Sequence, residues 1–421
     1  MKAATVHALV MPALLVALVS VSSCESKVEI ANAAPGNVTL SVSKCFIETG
    51  GTVTFSGGAI DDDGDSLTFR WTATAGSFTP ASATGASVEW TAPSTPGSVT
   101  IRMAVTDDIE TVARTQSITV CTPIQGSVTT STTIANTGFI YIVKNADLLQ
   151  IASDATLTIE PGVTIVFDRA LGGFEAFGRI VAEGTPAEEI RFRGNSCGAS
   201  SSLWDGVYVD GGHGEAIFRN VDLSSSSNGI QVVNGGKLTL DSCKVHDNNN
   251  IGISITTELS VAHIISSEIW DNGVGVEIEN ASVDITSSAI QYNGSNGIEI
   301  SYSLSETDVT IDSTTIANNE DNGIRLSNLA APVIRDCSIS SNGPESGGGY
   351  AILLAAYASS DTIDAQYNFW GLGNTTEGKI EDLIFDGNDP GGFGYVDFRH
   401  YLLIEPPWVP KAGPAGGAKE R

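Results

Sequence analysis

A chain of 421 residues exceeds the usual size of one domain and holds sequence enough for two or three cores. Its 49 acidic against 21 basic residues give a formal charge of −28, which argues against a nucleic acid or an anionic membrane surface as partner and makes cations the better company. The 45 glycines, the many Ser, Thr, Asn and Asp residues and the lack of long helical patterns describe an all-β extracellular chain rather than a helical or disordered one.

The chain opens with a basic Lys2, an apolar run from Val6 to Val21 and then Val21-Ser22-Ser23-Cys24, the pattern of an exported segment with small residues before its cut. These residues resemble a bacterial lipoprotein lipobox. The resemblance implies that residues 1–23 are a signal peptide and that Cys24 carries a lipid as the first residue of the mature chain. The protein would then sit in the bacterial cell envelope, lipid-anchored at the outer membrane or cell surface. An uncleaved anchor and an ordinary signal peptide are the alternatives, and both still place the body outside the cytoplasm. Residues 24–35 are small and polar and read as a tether.

Residues 36–121 show short alternating runs, among them Thr52 to Phe55, Leu67 to Trp71, Val88 to Trp90 and Val99 to Val105, separated by Gly, Pro and Asp turns. Seven or so short strands in that length predict an immunoglobulin-like β-sandwich. The phrases DDDGDSLTFRWTA, VEWTAP and VTIRMAVTDD resemble the polycystic-kidney-disease-type and cadherin-like immunoglobulin modules of bacterial surface proteins. Cys45 and Cys121 bracket the segment and are expected to join its first and last strands. Asp61, Asp63 and Asp65 surround Gly64, a spacing that can aim alternate carboxylates at one calcium ion, with Asp107 and Asp108 as further ligands if the fold brings them near. A twelve-residue EF-hand loop would need Glu where Thr72 stands, so a plain polar turn competes with the calcium reading.

From residue 122 the texture becomes a repeat. Aligned phrases DSCKVHDN, SSEIWDN, SSAIQYN, STTIANN and DCSISSN place Val245, Ile269, Ile290, Ile316 and Ile339 at intervals of 21 to 26 residues, the period of one solenoid coil. A second phrase intercalates at Gly229-Ile230, Gly252-Ile253, Gly275-Val276, Gly297-Ile298 and Gly323-Ile324. Three residues after each aligned apolar position stand Asn248, Asn272, Asn293, Asn319 and Asn342, which stacked coils would bond to their own kind. Cys243 and Cys337 fall four coils apart, about 19 Å at a strand spacing of ~4.8 Å, too far for a disulfide and so predicted buried and free. The phrases IEPGVTIVF, GRIVAEGT, IRFRG and WDGVYVDGG, with QYNFWG near the other end, resemble bacterial right-handed parallel β-helix proteins of the pectin-lyase-like fold. The expected architecture is therefore an N-terminal sandwich followed by a right-handed parallel β-helix over 122–403, with residues 404–421, rich in Pro and Gly, as a flexible tail.

Two columns of outward residues could carry chemistry. Glu277 and Glu299 on adjacent coils, with Arg325 next, could act as paired carboxylates of a glycosidase or hold an acidic sugar, or could form a surface ladder in which Arg325 relieves Glu–Glu repulsion. His246, Trp270, Asp271 and Tyr292 mix rings with carboxylates as a sugar-contact face does, unless the aromatics only cover a neighbouring coil. The pectate-lyase and polygalacturonase motifs are missing. The leading expectation is thus a non-catalytic surface lipoprotein that binds or adheres through the β-helix face, engaging extracellular polysaccharide, with calcium the cofactor to test. A polysaccharide lyase or glycoside hydrolase acting on acidic polysaccharide, and a structural spacer, are the alternatives.

Overall fold

The computed structural model describes residues 32–124, 126–144, 148–168, 172–195, 197, 204–302, 308–328, 330–343, 349–357 and 362–411. The expected signal peptide, the lipidated Cys24 and most of the tether lie outside the described residues. Among the described residues, strands gather into four sheets of four, thirteen, ten and eleven strands, and the one helix, Glu377–Glu381, is a single turn capped by Thr376 near the C-terminal end.

Apart from the short strand Phe46–Glu48, which pairs parallel with Thr111–Ile124, the sandwich strands pair antiparallel. Gly36–Val42, Thr52–Ile60, Ser87–Thr91 and Ser77–Thr79 form one sheet, and Thr68–Ala73, Gly97–Thr106 and Thr111–Ile124 build the other. Alternation puts Phe55, Trp71, Val88, Trp90, Ile101, Met103 and Ile118 between the two sheets, where they are closed to solvent. Both tryptophans find a backbone acceptor, Trp71 at Gly85 and Trp90 at Ala75, so their burial strands no N–H.

The boundary expected after residue 121 falls inside a strand. Thr111–Ile124 pairs antiparallel with Gly97–Thr106 in the sandwich and then, at Thr122 to Ile124, parallel with Tyr141–Val143 in the first coil of the solenoid. One sheet therefore runs from one domain into the other. The short strand Phe46–Glu48 pairs with it as well, at Thr119 to Cys121, and lays Phe46 over Ile142 and Val166 on the outside of the solenoid. Asn195 donates to the Phe46 carbonyl at 2.7 Å and accepts its amide at 3.1 Å, Lys44 reaches Asp168 at 2.6 Å, and the Arg193 guanidinium lies 4.8 Å from the Phe46 ring centre.

The expected Cys45–Cys121 bond is not formed. Cys45 is bonded to Cys197 with Cα atoms 5.1 Å apart, and Cys121 is a buried free thiol. The register explains it: Phe46 lies beside Thr119, which sets Cys45 level with Ile118 and three residues, about 10 Å, short of Cys121. Burial pushes the Cys121 thiol up to about 12. Cys243 and Cys337 are buried and free, as the coil spacing requires.

Each solenoid coil contributes one strand to each of three parallel sheets. The register follows the repeat residue for residue: Val245, Ile269, Ile290, Ile316 and Ile339 stack in one sheet, and Ile230, Ile253, Val276, Ile298 and Ile324 in another. The early coils fill the core with rings instead, Phe167 stacked on Trp204 and Phe174, Phe192 and Phe218 meeting edge to face. At one corner the asparagines form the predicted ladder. Each Nδ2 donates to the Oδ1 of the next, from Asn248 to Asn272 at 2.8 Å, Asn272 to Asn293 at 3.1 Å, Asn293 to Asn319 at 2.9 Å and Asn319 to Asn342 at 2.9 Å. A glycine runs beside the ladder because nothing larger fits; a Cβ on Gly252 would lie 2.7 Å from the Gly275 carbonyl oxygen and 2.9 Å from the Asn272 amide. A second corner carries Cys243, Ser267, Ser288 and Thr314, where each side-chain oxygen accepts the backbone amide of the coil before it.

The tail expected to be flexible from residue 404 is packed as far as Pro410. Glu405 accepts from Ser338, the Pro410 carbonyl accepts from Thr315, and Pro406 and Val409 are buried. Proline supplies the reason: an extended, pre-ordered segment loses little entropy on docking to a flat sheet.

Candidate functional site

The outer face of the ten-stranded sheet carries an unbroken column. The register lines up Gln150, Glu175, Tyr208, Gln231, Ser254, Glu277, Glu299 and Arg325, followed by Leu353 and Phe385. These side chains alternate with the apolar residues that fill the core, so the same period-2 rule that buries one set turns the other outward, where all but Ser254 keep some exposure. At its N-terminal end the column opens into a cleft of 280 Å³ lined by Leu148, Phe174, Glu175, Asp205, Gly206, Tyr208, Asn228 and Gln231. Gly206 makes the close approach there with φ of 102°, and a Cβ would lie 1.8 Å from the Asn228 carbonyl oxygen. Gln150 donates to Glu175 and fixes its carboxylate toward the cleft rim. Burial, then Asp210 and Glu175, push the Tyr208 phenol up.

Glu277, Glu299 and Arg325 do lie side by side on adjacent strands. Their oxygens are largely spoken for: Arg325 ion-pairs with one Glu299 oxygen, Asn296 donates to the other at 3.3 Å, and Ser254 donates to Glu277 at 2.7 Å. This is a ladder of mutual satisfaction running along the sheet.

The second candidate set lies on the thirteen-stranded sheet and divides in two. His246 and Trp270 are paired neighbours with rings stacked 4.3 Å apart and 7° from parallel. His246 holds Asp247 through Nδ1 at 2.8 Å and Asp222 through Nε2 at 3.1 Å, and only 17% of its side chain is exposed. Burial opposes its charge, but the two carboxylate hydrogen bonds outweigh that and raise its pKa to about 9. Burial pushes the Asp222 carboxyl up, and the hydrogen bond with His246 together with the charges of His246, Lys244 and Arg191 more than offsets it, leaving a net lowering. One face of the Trp270 ring is thus given to an imidazolium of the protein itself. Asp271 and Tyr292 instead occupy the corner before the asparagine ladder, with φ of 52° and 55°, a turn position that Asp247, Asn318 and Ser341 share. Asp271 and Tyr292 lie on adjacent coils directly after Trp270 and Gln291, with the Asp271 amide donating to the Tyr292 carbonyl at 3.2 Å.

Asp61, Asp63 and Asp65 do converge, with oxygens within 4.8 Å of one another. Asp61 Oδ1 accepts the amides of Asp63 at 3.0 Å and Asp65 at 3.1 Å, while its Oδ2 is shielded from solvent and unpartnered. That orphaned oxygen and the all-carboxylate donor set fit calcium. Asp107 is occupied elsewhere, accepting from the amides of Glu110 and Ile109 and from Asn32, and these bonds, Glu110 first, lower its pKa.

The cleft around Tyr208 is absent from the expectations above. Its signal is the phrase Gly206-Val207, which matches the Gly-Ile phrase and extends the outward column one coil upstream of Gln231.

Comparison with known proteins agrees with these two parts. Residues 37–120 match the PKD domain model, and residues 205–369 and 260–397 match the right handed beta helix region model. Searches of curated proteins and of solved structures returned no match. Together with the strand register, these matches describe a PKD domain joined to a right-handed parallel β-helix.

Proposed function

We propose that the protein is a non-catalytic surface module that binds an extended glycan along the outer face of its ten-stranded sheet. One observation carries the reading. The column from Gln150 to Arg325 places a polar side chain at every step over about 34 Å, at ~4.8 Å per strand, and begins in a cleft with an aromatic wall. Repeating donors and acceptors on a rigid lattice suit a repeating ligand, because little side-chain freedom is lost on binding. The engagement of Glu277 and Glu299 by Ser254, Asn296 and Arg325 favours binding over hydrolysis. In this reading the body is held at the bacterial cell envelope through lipid on Cys24, and calcium sits at Asp61, Asp63 and Asp65 to stiffen the sandwich turn.

The test is incubation with a panel of neutral, amino and uronic-acid polysaccharides, with co-sedimentation for binding, and reducing-end and unsaturated-product assays for cleavage. Retention without new ends, weakened at least tenfold by Ser254→Lys in mid-column, is the expected result. New ends or unsaturated products that vanish in Glu299→Gln would make the protein a glycoside hydrolase or polysaccharide lyase instead.

A further inference from the structure

We infer that the Tyr208 cleft is a selective subsite for a sugar ring bearing a protonated amine, the anchoring end of an amino-sugar chain; this rests on the glycan-binding reading. The cleft volume of 280 Å³ suits one ring rather than a chain. Among the described residues its ionisable walls are of one sign, since Glu175 and Asp205 line it and no lysine or arginine does. Asp210, bonded to Asn234 at 2.8 Å, adds negative charge two residues beyond Tyr208. The remaining contacts are those a sugar needs. Asn228 and Gln231 give amide donors and acceptors for hydroxyls, the Tyr208 ring and Leu148 give apolar surface, and the phenol donates.

Selection follows from the charges. An ammonium placed between Glu175 and Asp205 gains charge-assisted hydrogen bonds in a partly desolvated cleft. An N-acetylated ring has no charge to offer, and a uronic acid sets its carboxylate against two others. The cleft therefore disfavours the acidic polysaccharide that Arg325, at the far end of the column, would by itself suggest. Arg325 is already paired with Glu299, which removes that attraction.

The experiment is titration calorimetry of the full chain at pH 6 with a β-1,4-linked glucosamine tetramer, its N-acetylated counterpart and a galacturonate tetramer. The expected order is glucosamine at least tenfold tighter than N-acetylglucosamine, with no heat from galacturonate. Glu175→Gln with Asp205→Asn should erase the tenfold preference while leaving the N-acetylated tetramer bound, and Tyr208→Ala should weaken both. Glu258→Gln, an exposed charge outside the cleft, serves as control. An equal loss in that control would assign the preference to diffuse negative charge and overturn the inference. Equal binding of the two hexosamine tetramers, or tighter galacturonate, would overturn the amine subsite and leave glycan binding intact. No binding of any tetramer, together with no retention on any polysaccharide, would overturn both.

Discussion

The sandwich and the β-helix are both all-β, yet they are held together by different kinds of neighbour. In the sandwich a core residue such as Trp90 packs on Phe55 and lies against Gly76, partners with no relation to it in type or in spacing. In the β-helix the neighbour of an isoleucine is an isoleucine, and of an asparagine an asparagine, one coil away. A single substitution should therefore act on the sandwich as a whole and on the β-helix only over adjacent coils.

The strongest test of that contrast is Trp90→Ala, which removes a ring closed to solvent and an indole hydrogen bond. A cost of about 3–5 kcal/mol is expected. Hydrogen exchange should show protection lost together across residues 36–121 and kept in the coils beyond Gly229. Loss confined to the strands touching Trp90 would contradict whole-domain cooperativity. Cys197→Ser comes next, because it removes the bond linking the two regions across a sequence separation of 152 residues. Calorimetry should show the sandwich transition fall by the equivalent of about 2–4 kcal/mol, with the distal coils unmoved. Asn293→Ala deletes a fully buried ladder amide and leaves its neighbours short of partners. The expected cost is about 1–3 kcal/mol, seen as faster exchange in the coils of Asn272 and Asn319 and nowhere in the sandwich.

The smallest effect is a pH slope. The pKa of His246 is raised from 6.5 to about 9 in the folded chain, so its charged pairing stabilises fully below pH 6.5 and is lost as pH rises through 9. Denaturation midpoints of the β-helix should fall between those limits, and His246→Gln should flatten that fall. A slope unchanged by the substitution would remove His246 as its cause.

What the sequence disclosed divides along the same line. The ladder from Asn248 to Asn342, the free thiols of Cys243 and Cys337 and the Glu277–Glu299–Arg325 column could be read because identical residues recur at one period, which the register then obeys. The sandwich could be read only as a set of strands, since pairing partners there share no phrase. Cys45 and Cys121 pair in the sequence reading because they bracket the sandwich segment, whereas the partner of Cys45, Cys197, lies beyond Asn195 in an early coil that no repeat marks. The same lack of a marked repeat hid Tyr208, and the packing of Glu405 to Pro410 was hidden because composition reports stiffness but not what a stiff segment lies on.

The strand Thr111–Ile124 belongs to both regions at once, and with Cys45–Cys197 and the Asn195 clasp around Phe46 it leaves no hinge between them. Torque on the far tip of the β-helix would therefore pass to the sandwich through several connections at once, and the direction in which the ten-stranded face points would follow the sandwich.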